Sequence, residues 1–578
     1  MSFLKNKGSL GWRLFAVLIS LCALKWLLIG DLDLVFHFVD DNNNRTMAEH
    51  AYWWQHYGAY SLVRGPIYPL FLALAHALHC PAYTAMELML QLSVLVLALA
   101  LRRAGLRPFP VVAATAGILF HPLLPAVQTF ATSDNLVTPL LCLTFSGFLE
   151  LYRATTYRGL LWRSVLAGIP FALLYCVREE GLIFLPLPFL FGFLAWRIRR
   201  QHAREHQSTV QSPGQSVFCL GRSTIFAPPA LILGTTVALI FLIALINRSF
   251  FGVWRHSTLG SPEVSRTITA FLSVPEPAPG QYFAWRRPTI ERIISASPTL
   301  SLFQEEFRKQ TDLAQGGVAD KDDAFPTIRL FWVLNATIHI HYYASKHAEA
   351  PTQSKIQGFD YMSKHPAAQI LIIFDRIAGE IRQAQSIGLL PRQTVWLPCV
   401  AANFDFIQWL PRSLSKVANL TLFPGDFSAS MVHRFPLSTD GKEAQQASER
   451  FFYVSKSQSG QPDFCDDGYW QGTRGMARKA LAHLYSVMNI LLLAGAVPLA
   501  LRRLWLLARK RTHPQPLDFI WIAVAVVYVS RVSLFVLMDA TCYATEPRYY
   551  APALAVLWVG LFALADLSFV SRKNPQPL

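Results

Sequence analysis

Four short polar stretches stand beside long apolar runs in this 578-residue chain, and their residue types suit acid–base and anion chemistry. Asp40 and Asp41 directly follow the first apolar run. A carboxylate at such a boundary can take a proton from an attacking hydroxyl. The pair could instead hold a divalent cation, or be ordinary solvated acid at a helix end. Ser133 and Asp134 precede another apolar run, where they could cap a helix or serve a site. Arg178, Glu179 and Glu180 separate two runs with almost no loop. A guanidinium matches phosphate geometry, so Arg178 could bind a phosphate oxygen; a mutual ion pair is the other reading. Glu546, Pro547, Arg548, Tyr549 and Tyr550 repeat that placement, with an arginine at the mouth of a run and aromatics beside it. Arg178 and Arg548 could together clamp a phosphate while Tyr549 stacks on a ring or an apolar tail. Arg64 enters the turn Gly65-Pro66-Ile67-Tyr68-Pro69, where it could touch an anion, and His121 precedes Pro122. His339, His341 and His347 could bind metal, but no Cys or acidic residue has matching ligand spacing, so the identity of any metal stays open.

The elements that must position these residues are membrane spans. The composition is 53% hydrophobic and 13% aromatic, too apolar for a soluble chain of this length. About ten spans are expected, at about 11–30, 82–101, 108–124, 135–152, 162–177, 180–198, 226–246, 479–501, 518–538 and 549–570. Pro66–His79 is apolar but short, which suits a re-entrant or interfacial helix. Thr46–Tyr57 reads as an aromatic-rich helix in the membrane interface.

Basic residues set the orientation. Lys5, Arg13, Arg102, Arg103, Arg153, Arg163, Arg197, Arg502, Arg503 and Arg572 all fall on one side if there are ten spans, and that side is cytoplasmic by the positive-inside rule. The polar stretches above then all face the opposite side. Ionisable groups at membrane depth are costly and tend to mark function. The net charge of +16 is mostly topology, and basic residues scattered over short loops argue against nucleic-acid binding. No small-residue cleavage site follows the first run, so it reads as a span and not a signal peptide. Short cytoplasmic loops lean towards a bacterial inner membrane with the polar face in the periplasm. Cys80, Cys399, Cys465 and Cys542 would lie outside, where two disulfides or free thiols are both open readings. No Walker or Gly-rich dinucleotide loop occurs.

Three regions follow: 1–246 and 477–578 as membrane blocks, and 247–476 as one outer segment. That segment is too long for a connector. Apolar spacing predicts helices over Leu330–Ala350 and Pro366–Gln385, and the stretch from about 389 to 474 reads as irregular with short strands. The fold expected is thus membrane all-α with a large α+β extracytoplasmic domain.

The order of these pieces resembles the GT-C superfamily of polytopic glycosyltransferases, especially its protein mannosyltransferase and aminoarabinose transferase members. The pieces are Asp40-Asp41 after the first span, an interfacial aromatic helix, Gly65-Pro66-x-Tyr68-Pro69, Ser133-Asp134, Val177-Arg178-Glu179-Glu180-Gly181 and Pro547-Arg548-Tyr549-Tyr550-x-Pro552. The first membrane block carries most of the likeness. The resemblance implies a GT-C-like fold and a sugar donor on a polyprenyl phosphate, used from the outer side. It implies Asp40 or Asp41 as catalytic base and Arg178 and Arg548 as holders of the donor phosphate. Arg64, His121, Asp134, Glu179, Glu180 and Tyr549 would support them. The acceptor could be an envelope glycan, a lipid or a protein. Asn42-Asn43-Asn44-Arg45 separates the acidic pair from the aromatic helix, where many relatives have a closer aromatic. The choice between Asp40 and Asp41 therefore stays open. Two other classes compete: a lipid or glycan transporter or flippase, which would need charged or broken helices near the midplane, and a catalytically silent scaffold.

Overall fold

The computed structural model describes residues 2–34, 38–54, 61–154, 156–193, 196–197, 200, 223–276, 284–314, 324–346, 365–397, 400–401, 406–424, 446–447, 450–453, 467–509, 515–541 and 546–573. The helices used below are α1 (Ser2–Ile29), α2 (Phe38–Glu49), α3 (Ile67–Ala77), α4 (Ala82–Arg103), α5 (Pro108–Leu119), α6 (Leu123–Gln128), α7 (Asp134–Glu150), α8 (Tyr157–Val177) and α9 (Ser223–Phe251). There follow α10 (Pro262–Leu272), α11 (Arg287–Ala296), α12 (Gln304–Ala314), α13 (Thr327–Lys346), α14 (Pro366–Ser386), α15 (Leu410–Leu422), α16 (Gly472–Ala508), α17 (Pro516–Thr541) and α18 (Pro547–Lys573).

Eight helices among the described residues are long and apolar enough to cross a bilayer: α1, α4, α7, α8, α9, α16, α17 and α18. The chain is a multi-pass membrane protein. One expected span takes another form, and one is described only in part. The stretch expected at 108–124 is broken into α5 and α6, because Pro122 cannot donate the amide that a continuous helix needs. The stretch expected at 180–198 opens as a 3₁₀ helix over Glu179–Phe184.

Lipid tails are as apolar as leucine, so burial from water does not drive these helices together, and close packing must. At the α7–α8 crossing, a side chain on Gly147 would collide with Ala167. α18 runs down the centre of the bundle against α5, α7 and α17. It is accordingly apolar nearly all round, with Tyr550, Ala551, Ala553, Ala555 and Val556 fully buried. Two ion pairs lie inside the bundle. Lys25 on α1 meets Glu87 on α4 at 2.7 Å, and Gln91 donates to the same carboxylate. Arg503 forks onto Asp518 at 2.6 Å.

The outer segment corrects the expected α+β domain. Where described it is helical, and its strands amount to two short antiparallel pairs, β1 (Ala284–Arg286) with β2 (Ala324–Pro326) and β3 (Val395–Leu397) with β4 (Val400–Ala401). Its apolar residues sit at helical spacing, as Ile370, Ile373, Phe374, Ile377 and Ile381 on α14 show, so they form helix faces and leave no alternating strand pattern to build a sheet. The two helices expected here are observed as α13 and α14. Their core also takes in Met47, Tyr52, Leu62 and Val63 from the first outer loop. Cys80 forms no disulfide among the described residues, and Cys399, Cys465 and Cys542 lie outside them. Three of the four Asn-x-Ser/Thr asparagines, Asn44, Asn247 and Asn335, are buried, which excludes them as glycan carriers in the folded chain.

Candidate active site

Three helix ends meet at one place. α7 begins with Asp134, α8 ends just before Arg178, and α18 carries Arg548 and Tyr549 in its first turn. All four side chains are at most 9% exposed. Arg178 lies 3.4 Å from one carboxylate oxygen of Asp134, and the Arg548 Nε lies 3.9 Å from the other. Between them stands Tyr549. The Arg178 guanidinium carbon is 5.3 Å from the Tyr549 ring centre and that of Arg548 is 5.2 Å from it. Arg548 also pairs with the half-exposed Glu546 at 2.8 Å.

The electrostatics favour an anion. The N-terminal ends of α7 and α18 bring the positive ends of two dipoles here, against the negative end of α8. Two guanidiniums add full charges, and Asp134 and Glu546 balance them in the absence of a ligand. The Asp134 pairs are longer than hydrogen bonds, and neither of its oxygens has a hydrogen-bond partner among the described residues. An anion that met the arginines at 2.7–2.9 Å, roughly the usual charge-assisted distance, would be held better than Asp134 is.

Sequence reasoning missed Arg531. It is fully buried in the middle of α17, donates its Nε to the Tyr549 carbonyl at 2.6 Å and lies over the Phe535 ring. Phe535 in turn stacks on Tyr549 at 5.1 Å. Arg531 therefore fixes the first turn of α18. Its signal was available, since it is the only charged residue between Asp518 and Asp539.

The helix that carries the acidic pair, α2, is tied to the loop before α7. Asp40 and Asp41 lie on that helix, one turn before Asn44, and their side chains fall outside the described residues. Asn44 donates to the Ala131 carbonyl at 2.7 Å, which ties α2 to the loop that leads into Asp134. Arg64 is brought near the end of α8, because a side chain on Gly65 would strike the Cys176 carbonyl. The Arg64 carbonyl accepts from the Tyr52 hydroxyl at 2.7 Å. Glu179 and Glu180 open the 3₁₀ helix that directly follows Arg178, and their side chains also fall outside the described residues.

His121 stands apart. It lies in the α5–α6 break, accepts from the Leu123 amide and packs edge-on against Tyr485. Tyr485 stacks on Trp558, nine residues beyond Tyr549 on α18 and so about 13 Å along the axis at roughly 1.5 Å per residue. Among the described residues no group of three His, Cys, Asp or Glu side chains is placed to hold a metal ion.

The fold and this site define a multi-pass helical membrane protein with a paired-arginine centre where three helix ends meet. No family model matches the chain. No curated protein matches it either. Among solved structures it is similar to ArnT from Cupriavidus metallidurans bound to undecaprenyl phosphate, at 10% identity and a TM-score of 0.29, over 97% of this chain and 79% of that one. It is also similar to the archaeal oligosaccharyltransferase AglB from Archaeoglobus fulgidus in complex with an inhibitory peptide and a dolichol-phosphate, at 14% identity and a TM-score of 0.27, over 79% of this chain and 59% of that one. With TM-scores this low, neither likeness carries weight for the chemistry, which rests on the chain's own geometry.

Proposed function

We propose that this protein is a membrane glycosyltransferase that moves a sugar from a polyprenyl-phosphate donor to an envelope glycan, lipid or protein acceptor on the outer face of a bacterial inner membrane. The observation that carries this reading is the convergence of Arg178 and Arg548 on either side of Tyr549, above the buried carboxylate of Asp134. Buried guanidiniums beside the N-termini of α7 and α18, at the edge of an apolar bundle, suit a phosphate whose lipid tail stays in the bilayer.

In the proposed reaction Asp40 or Asp41 removes the proton from an acceptor hydroxyl. The oxygen attacks the anomeric carbon as the bond from that carbon to the phosphate oxygen breaks, with inversion. The electron pair leaves with the phosphate, whose second negative charge Arg178 and Arg548 stabilise, and the proton stays on the aspartate. Charge develops on the phosphate only as the bond breaks, so the arginines lower the barrier and do not merely bind the donor. A divalent cation held by the acidic pair remains part of the proposal to be tested with the same assay in chelator.

The test is transfer of label by purified protein in nanodiscs, supplied with radiolabelled polyprenyl-phosphate sugars and an envelope extract. Wild type should transfer, while Asp40→Asn/Asp41→Asn should bind donor without transferring and Arg178→Ala should bind it weakly. Transfer undiminished in the aspartate variant would overturn the assignment of the base. Absence of transfer from every donor would favour a second reading, a lipid or glycan transporter, for which the α5–α6 break and the buried Lys25–Glu87 pair are the observations.

A further inference from the structure

A cleft of about 620 Å³ lies in the outer segment, away from the arginine centre. That volume is within the range of small-ligand sites, roughly 300–1,000 Å³. Its walls are regular. The turn after α9 supplies Trp254 and Arg255, the first turn of α10 supplies Glu263, and α14 supplies Ile372, Asp375 and Arg376 from one face. The walls are fixed to one another. The Thr267 hydroxyl on α10 donates to the Phe374 carbonyl on α14 at 2.6 Å, and Gly252 adopts a left-handed turn against His365, just before α14. The cleft is therefore built into the fold.

Its polar groups point to one ligand class. Arg255 pairs with Glu263 at 3.4 Å, and Arg266 pairs with Asp375 at 3.2 Å. The charges largely cancel, so neither a lone phosphate nor a metal cation is preferred. Two buried atoms are left over: the Arg255 Nε, a donor, and the second carboxylate oxygen of Glu263, an acceptor, have no hydrogen-bond partner among the described residues. A hydroxyl group both donates and accepts, so it can bond to the guanidinium and carboxylate groups that line the cleft. Beside them Trp254 offers a ring that is 45% exposed, and Ile372 is 49% exposed. An indole face covers the C–H face of a pyranose while carboxylates and guanidiniums take its hydroxyls. A lipid tail would use the ring but take the lining guanidiniums and carboxylates out of water with no polar group to pair with them.

One ring contact links the edge of the cleft to α8, the helix that leads into Arg178. His256, next to Arg255, packs its ring 6.1 Å from that of Tyr175, three residues before Arg178.

We propose that this cleft, between the turn after α9 and α14, binds a neutral carbohydrate and serves as the acceptor subsite. Its role as an acceptor subsite rests on the transferase reading, whereas binding of carbohydrate does not.

The experiment is saturation-transfer NMR on the full chain in nanodiscs, with a panel of neutral gluco-, galacto-, manno- and arabino-trisaccharides. At least one should receive saturation from wild type. Glu263→Gln and Trp254→Ala should each weaken that binding tenfold or more. Ile372→Trp, which fills the cleft from an exposed position and disturbs no ion pair, should abolish it while gel filtration and melting stay as in wild type. Arg178→Ala/Arg548→Ala should bind the same trisaccharide as wild type, so a failed transferase reading would leave this result standing. Absence of saturation transfer from the whole panel, or binding unchanged in Ile372→Trp, would overturn the proposal.

Discussion

At the scale of single residues, the centre is a contest for two arginines. Asp134 and Glu546 hold them at rest, and a phosphate must displace those contacts. Charge-assisted hydrogen bonds contribute about 1.5–3 kcal/mol each, so Arg178→Ala should weaken binding of a polyprenyl phosphate roughly 10- to 150-fold. Arg178→Lys should recover only part of the loss, because an ammonium cannot fork onto two oxygens. Glu546 acts in the other direction. It is half exposed and pairs with Arg548 at 2.8 Å. Exposed pairs contribute about 0.2–1 kcal/mol, so Glu546→Gln should tighten phosphate binding by a factor of roughly 1.5–5. Titration of lipid phosphate in nanodiscs measures both, and weaker binding in Glu546→Gln would contradict the competition. Asp134→Ala differs again. It leaves two buried guanidiniums without their shared carboxylate, and breaking a buried pair typically costs about 3–5 kcal/mol. The expected outcome is a lower melting temperature as well as altered binding.

At the scale of elements, the outcome depends on what ties α2 to the bundle. The Asn44 amide reaches the Ala131 carbonyl, and both groups are buried. Asn44→Ala removes that hydrogen bond, a net contribution of about 0.5–1.5 kcal/mol. The cost should appear as local opening of α2, read by hydrogen exchange, together with a fall in transfer rate at unchanged lipid-phosphate affinity. A parallel fall in that affinity would mean that α2 supports the arginines and does not only carry the acidic pair. The α7–α8 crossing is the second sensitive element. Gly147→Leu would force the helices apart at Ala167, shift Asp134 relative to Arg178 and weaken lipid-phosphate binding without touching a charged group.

At the scale of the whole molecule, the outer segment has its own core and its own pH dependence. His339 on α13 is buried in that core, and burial lowers its pKa from 6.5 to about 3. In the unfolded chain the ring takes up a proton below about pH 6.5, while in the folded chain it does so only near pH 3. The unfolded state therefore binds more protons across that window, and stability falls as pH drops through it. At pH 5 the loss is roughly 2 kcal/mol from this group. Thermal melting of wild type and His339→Gln between pH 7.5 and 5 checks the sign: the wild type should lose melting temperature and the variant should lose less.

Much of this molecule was legible in the chain because a bilayer imposes simple rules. A span must be long and apolar, so eight helices could be marked from composition. Charges at the ends of spans are costly, so Asp134, Arg178, Arg548 and Tyr549 stood out by type and place before any contact was known. The sequence by itself determined the helical membrane class, the sites of its polar breaks and the helices α13 and α14. Only the tertiary structure decided that three of those breaks meet, because convergence depends on how helices cross, which no local pattern encodes. It also decided that His121 packs against Tyr485, which stacks on Trp558, away from the arginines, and that Arg531 fixes Tyr549 from inside α17. It replaced an expected α+β outer domain with helices, since short polar stretches rich in Pro and Ser look alike whether they link strands or cap helices.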